Sequence, residues 1–199
     1  MECLMRDELD DLVEGEDNSE LIHKEENRDC AYDVMIHEGD LEIDGHYDAS
    51  NDSLVVKGDL KVAGTLFCDE SGNLTVTGNL YAQNMSCEGY IEVQGDAHVE
   101  QGVFGDYEGG CTHIEGTLFT KVLLQGEHWF EIHKVEALHT FEFSDGELDD
   151  DTIAAMKATL ADSVFQAIQT IHIDGAEEYD ETLDEVISPL MSAGTFLKI

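Results

Sequence analysis

The chain has 199 residues, 42% of them hydrophobic, with 46 Asp+Glu against 9 Lys+Arg and a formal net charge of -37. That length holds one domain, or one domain with an appendage, and that apolar fraction supports a core. The charge argues against direct contact with nucleic acid, because binding phosphate needs a Lys/Arg excess, and against docking on anionic lipid headgroups; it favours a basic protein or metal ions as partner.

Residues 1–35 form an acidic N-terminal segment. Leu4, Met5, Leu9, Leu12 and Val13 fit a short amphipathic turn, set in an acidic, Ser/Asn-bearing stretch. The opening lacks the basic start and apolar run of a secretory signal, and no run of about 18 apolar residues follows, so a cytoplasmic location is expected. Five cysteines, Cys3, Cys30, Cys68, Cys87 and Cys111, are odd in number and make no C-x-x-C pair. Reduced thiols fit this better than a disulfide framework or a zinc site.

Residues 36–143 carry an internal repeat. Gly39-Asp40-Leu41-Glu42-Ile43 returns as Gly58-Asp59-Leu60-Lys61-Val62, then as Gly78-Asn79-Leu80, Gly95-Asp96-Ala97 and Gly116-Thr117-Leu118, at intervals of 19, 20, 17 and 21 residues. Ile132–Leu138 reads as a sixth copy without the glycine. Alternating apolar runs such as Leu54-Val55-Val56 and Leu74-Thr75-Val76 precede the glycines. Period 2 on both sides of each glycine predicts two short strands meeting at a corner. Glycine supplies the positive φ or close backbone approach of the corner, and the Asp or Asn after it bonds nearby amides. One such coil cannot bury its apolar face alone. Coils stacked at about 4.8 Å pair each strand with its equivalent above and below. The expected fold is mainly β, a parallel β-solenoid of about six coils with aliphatic ladders inside. The asparagine-bearing leucine-rich-repeat signature is absent, and an antiparallel sandwich would not repeat one phrase at near-constant intervals.

Residues 144–199 are different material. Ile153, Met156, Leu160, Val164 and Ile168 recur at helical spacing, predicting an amphipathic helix of about five turns started by Asp149, Asp150 and Asp151. Thr170–Ile173 reads as a strand, a second helix carries Leu183, Val186, Ile187 and Leu190, and Thr195–Ile199 reads as a last strand. A bare solenoid end is a polymerisation surface, so this α/β region is expected to serve as a C-terminal cap.

Motifs for nucleotide binding, serine hydrolysis and zinc proteolysis are missing, as are calcium nonapeptides, so no enzyme, metal or cofactor is expected. His128, His133 and His139 are expected as exterior strand residues rather than metal ligands. Cys68 and Cys87, one coil apart, are expected to stack as a buried small-residue ladder rather than as a redox pair. Phe104–Gly110 interrupts the repeat with two aromatics and two acids, either as a binding loop or as the cover of a wider coil.

The phrases Gly58-Asp59-Leu60-Lys61-Val62-Ala63-Gly64, Gly78–Asn84 and Val103–Gly110 resemble bacterial polymer-forming cytoskeletal proteins of the bactofilin kind, and a set of "G-D-L-x-V-x-G" solenoid proteins. The likeness runs over about residues 39–140. It implies a short right-handed β-solenoid that joins end to end through bare faces. The helical C-terminal and acidic N-terminal regions depart from that pattern.

Charge and the missing motifs lead to a binding protein: an immunity or inhibitor protein that neutralises a basic toxin. A self-assembling scaffold is the alternative. Acids of a partner surface would be Asp106, Glu108, Asp149, Asp150, Asp151, Glu177, Glu178, Asp180 and Glu181, with Phe104, Tyr107 and Trp129 as anchors. The ends carry most of the charge: residues 1–52 hold 19 acids and 3 bases, 53–143 hold 14 and 4, and 144–199 hold 13 and 2.

Overall fold

The computed structural model describes residues 34–50, 53–142, 149–169 and 197. The acids Glu177, Glu178, Asp180 and Glu181, the amphipathic turn and the strands and second helix read after residue 169 lie outside the described residues, except Leu197.

The described strands, in chain order, are β1 (Val34–Glu38), β2 (Leu41–Ile43), β3 (Tyr47–Asp48), β4 (Ser53–Lys57), β5 (Leu60–Cys68), β6 (Asn73–Val76), β7 (Leu80–Cys87), β8 (Tyr90–Val93), β9 (Ala97–Gly105), β10 (Cys111–Gln125) and β11 (Trp129–Glu142). They form one sheet in which the strand pairings are parallel, a β-solenoid of about six turns. Each full coil has three faces, where the repeat showed only two strands. The first face stacks β1, β4, β6, β8 and the starts of β10 and β11. The second stacks β2 with the first parts of β5, β7 and β9 and the middles of β10 and β11. A register shift in each long strand, between Val62 and Thr65 or Ala82 and Asn84 for instance, then turns the chain onto a third face.

Alternate side chains point inward and stack in columns. Leu41, Leu60, Leu80, Ala97, Leu118 and Val135 form one by register, and Leu66, Met85, Val103 and Leu123 another. Leu60, Leu80, Leu118, Leu66 and Met85 are fully buried, each contributing about 1.5–3 kcal/mol of transfer free energy. Lys61, one residue off the Leu60 column, points out, with its Nζ 3.4 Å from Glu42 Oε1 of the coil below.

The corner glycines act through two different constraints. Gly39 has φ +88° and open space around it. Gly58, Gly78, Gly95 and Gly116 instead lie against the glycine below: a Cβ on Gly78 would stand 2.7 Å from the Gly58 carbonyl carbon and oxygen. The residue after each glycine bonds across coils, not within its own turn. Asp40 Oδ1 accepts the Asp59 amide at 2.9 Å, Asp59 Oδ1 the Asn79 amide at 2.7 Å, Asn79 Oδ1 the Asp96 amide at 2.9 Å, and Asp96 Oδ1 the Thr117 amide at 2.7 Å.

The five-turn helix expected after residue 149 is two short ones, α1 (Asp150–Thr159) and α2 (Asp162–Ile168). Leu160 between them is extended and forms an antiparallel bridge with Leu197. The buried side chains keep the expected spacing, so periodicity alone could not reveal the break. Met156, Leu160, Val164, Phe165 and Ile168 pack with Phe104, Val122, Leu124 and Phe141. Those four point outward from the third face of the last coils, so α1 and α2 lie on the flank of the stack. In the last described coil the inner-ladder residue Val135 is 41% exposed, and α1 and α2 do not cover it.

A candidate partner-binding corner

The third face returns to the first through turns at Asp69–Gly72, Glu88–Gly89, Asp106–Gly110 and Gly126–His128. The last two build one corner of the molecule. Asp106 Oδ1 accepts the Glu127 amide at 3.1 Å, tying them together. Tyr107 holds φ 108°, uncommon for a side-chain-bearing residue and a store of about 1–3 kcal/mol of strain. Its ring lies over Gly109, where a Cβ would stand 2.6 Å from Tyr107 Cε1.

Beyond the corner the first face begins. Its strands alternate Leu74, Ile91, Thr112 and Phe130 inward with Asn73, Tyr90, Cys111 and Trp129 outward, and these sets are in register from coil to coil. Tyr90 is 48% exposed, Trp129 65% and Tyr107 45%. Tyr90 and Trp129 therefore flank Cys111 in register, and Tyr107 stands in the turn that leads into Cys111. Carboxylates surround them: exposed Glu108 and Glu127 in the turns, and Glu92 and Glu131 one outward position further along β8 and β11.

Beneath this surface lies a polar seam. Thr112 interrupts the aliphatic column of Leu54, Leu74 and Ile91, and its Oγ1 lies 2.9 Å from His128 Nε2. His128 was expected outside but is buried, seated against Gly105 and Gly110, where a Cβ would meet its ring at 2.9 and 2.8 Å. Its Nδ1 is buried without a hydrogen-bond partner. Desolvation lowers its pKa to about 4, against a smaller opposing pull from the Asp106 charge. Cys68 and Cys87 stack in register as expected, both buried free thiols. Burial, then the neighbouring Cys68 thiol, pushes Cys87 well above the usual thiol range, so the stack suits packing rather than nucleophilic chemistry.

Of the expected site residues, Asp106, Tyr107 and Glu108 stand in one turn, and Trp129 opens β11 just after the turn bonded to Asp106. Phe104 does not join them: it sits inside β9, fully buried beneath α1 and α2, and is a core residue instead of an anchor. Asp149 caps α1, its Oδ1 accepting the Thr152 amide at 2.8 Å and its Oδ2 the Thr152 hydroxyl at 3.1 Å, and these bonds lower its pKa. Asp150 and Asp151 follow in the first helical turn, exposed, and Asp151 lines a surface hollow together with Glu142 of the last described coil. Their helix-start placement accounts for all three without a partner. Tyr90 and Cys111 escaped the sequence reading, although the Tyr90–Val93 alternation already placed Tyr90 outward. His133 and His139 are exposed on β11, and among the described residues no group of three His, Cys, Asp or Glu is placed to hold a metal. No described helix is long and apolar enough to cross a membrane.

The fold and this corner define an acidic, three-sided parallel β-solenoid whose exposed Tyr, Trp and Phe side chains, among the described residues, lie on the first face and in the turn before it. Comparisons with protein-family models, with curated proteins and with solved structures returned no match.

Proposed function

We propose that the chain is a non-enzymatic binding protein, an immunity or inhibitor protein that neutralises a basic, nucleic-acid-targeting bacterial toxin in the cytoplasm. One observation carries the reading: on a chain of net charge -37, exposed Tyr90 and Trp129 flank Cys111, with exposed Tyr107 in the turn leading into it and Glu108, Glu127, Glu92 and Glu131 on the same turns and strands. A toxin acting on nucleic acid needs a cationic groove, and an acidic surface is steered to such a groove at high on-rate. The aromatics supply the desolvated contacts that slow dissociation. A pull-down from the host lysate, with mass spectrometry, tests this. The wild type is expected to retain a basic protein that a Tyr107→Ala/Trp129→Ala double variant loses. Retention of the same proteins by both, or of acidic proteins only, contradicts it.

A second reading, a bactofilin-like self-assembling scaffold, draws support from the ladder residue Val135 of the last described coil, which is 41% exposed. Like-charge repulsion opposes it at low ionic strength.

A further inference from the structure

The outward column Tyr90–Cys111–Trp129 has the dimensions of a slot. Tyr90 and Trp129 flank Cys111 on neighbouring coils in direct register, so their backbones are two strand spacings apart, about 9.5 Å. The smaller Cys111 side chain forms the floor between two large rings. Among the described residues neither ring stacks on another aromatic, whereas Tyr81, His98 and Phe119 on the second face close up at 5.1 and 4.7 Å with nearly parallel planes. A planar group level with Cys111 lies one strand spacing, about 4.8 Å, from the levels of Tyr90 and Trp129, inside the roughly 6 Å over which a cation is held by a ring face. One outward position along, Glu92 and Glu131 stand on the same two strands as the walls, with His113 between them and its Nδ1 3.4 Å from Glu131 Oε2.

We propose that this slot takes the guanidinium of an arginine side chain from a basic protein partner. The inference rests on the binding-protein reading and adds its chemical specificity. A guanidinium is flat, weakly hydrated and always charged, so it stacks between rings and bonds a carboxylate at its edge. A lysine ammonium is compact and strongly hydrated and gains less from two flat walls. The slot therefore separates arginine from lysine, which the net charge cannot do.

Trp129 is the only tryptophan of the chain, so its emission reports the slot directly. The test is a fluorescence titration of the full chain with a deca-arginine and a deca-lysine peptide at equal ionic strength. Deca-arginine is expected to quench or shift Trp129 emission and to bind at least roughly five-fold more tightly than deca-lysine. Tyr90→Ala, which removes a wall, and Cys111→Leu, which fills the floor, are each expected to bring the two peptides within about two-fold while deca-lysine affinity stays unchanged. Both substitutions face outward, and a thermal melt of each verifies the fold. Equal affinities in the wild type, or an arginine preference that survives both substitutions, overturns the slot and leaves charge-driven capture standing. Binding of neither peptide overturns the slot and removes the charge argument for the function as well.

Discussion

A methyl group at Gly78 has nowhere to go, because the Gly58 carbonyl lies 2.7 Å away in a coil fixed by its own ladder. Gly78→Ala should cost about 1–3 kcal/mol through overpacking. Gly39→Ala meets only its φ of +88° and should cost about 1 kcal/mol. Urea unfolding of the two variants checks the order. His128 gives a pH test. Its pKa is about 4 in the fold against 6.5 for an ordinary histidine, so the unfolded chain binds the extra proton more readily. The folded state therefore loses stability as pH falls from 6.5 towards 4, by about 3 kcal/mol in all. In His128→Gln that loss should be absent. The stability gap between wild type and variant, followed by urea unfolding from pH 7 to 4, should shift against the wild type by that amount. A gap independent of pH would place His128 in water.

At the scale of elements, the alternation assigns each strand residue to the core or to solvent. Val76 is fully buried in its column and Lys61 is exposed, so Val76→Asp should unfold the chain whereas Lys61→Glu should change stability by no more than about 0.5 kcal/mol. Circular dichroism and thermal melts separate the two; a folded Val76→Asp variant would show the face is wrongly assigned. Asp149→Ala removes the α1 cap and should loosen the helices, seen as a lower helical signal in circular dichroism, without unfolding the solenoid. The first two faces were legible because the Gly-Asp-Leu phrase and the period-2 runs sit on them. The third was not, because Leu66, Met85, Val103 and Leu123 share no phrase and follow a register shift. Phe104 looked like a loop aromatic for a related reason: it points outward, and only the packing of α1 and α2 makes that position interior. Of the candidate site, Tyr107 and Trp129 were readable as exposed aromatics. The alignment of Trp129 with Tyr90 across Cys111 depends on the coil-to-coil register, which the variable repeat length hides.

For the whole molecule, charge and shape pull in different directions. Exposed Val135 and the outer edge of β11, which pairs only with β10 among the described strands, invite stacking of copies, while a net charge of -37 keeps copies apart. At about 0.01 M salt, where the screening length is roughly 30 Å, light scattering should find a monomer. The same charge that opposes self-association accelerates encounter with a cation. The measurement that tests this most directly is the association and dissociation rate of the captured basic partner as ionic strength rises, for wild type and for Trp129→Ala. The account predicts association that slows steeply with salt and is alike in both proteins, with faster dissociation in Trp129→Ala. Association indifferent to salt, or rates unchanged by the loss of Trp129, would contradict it.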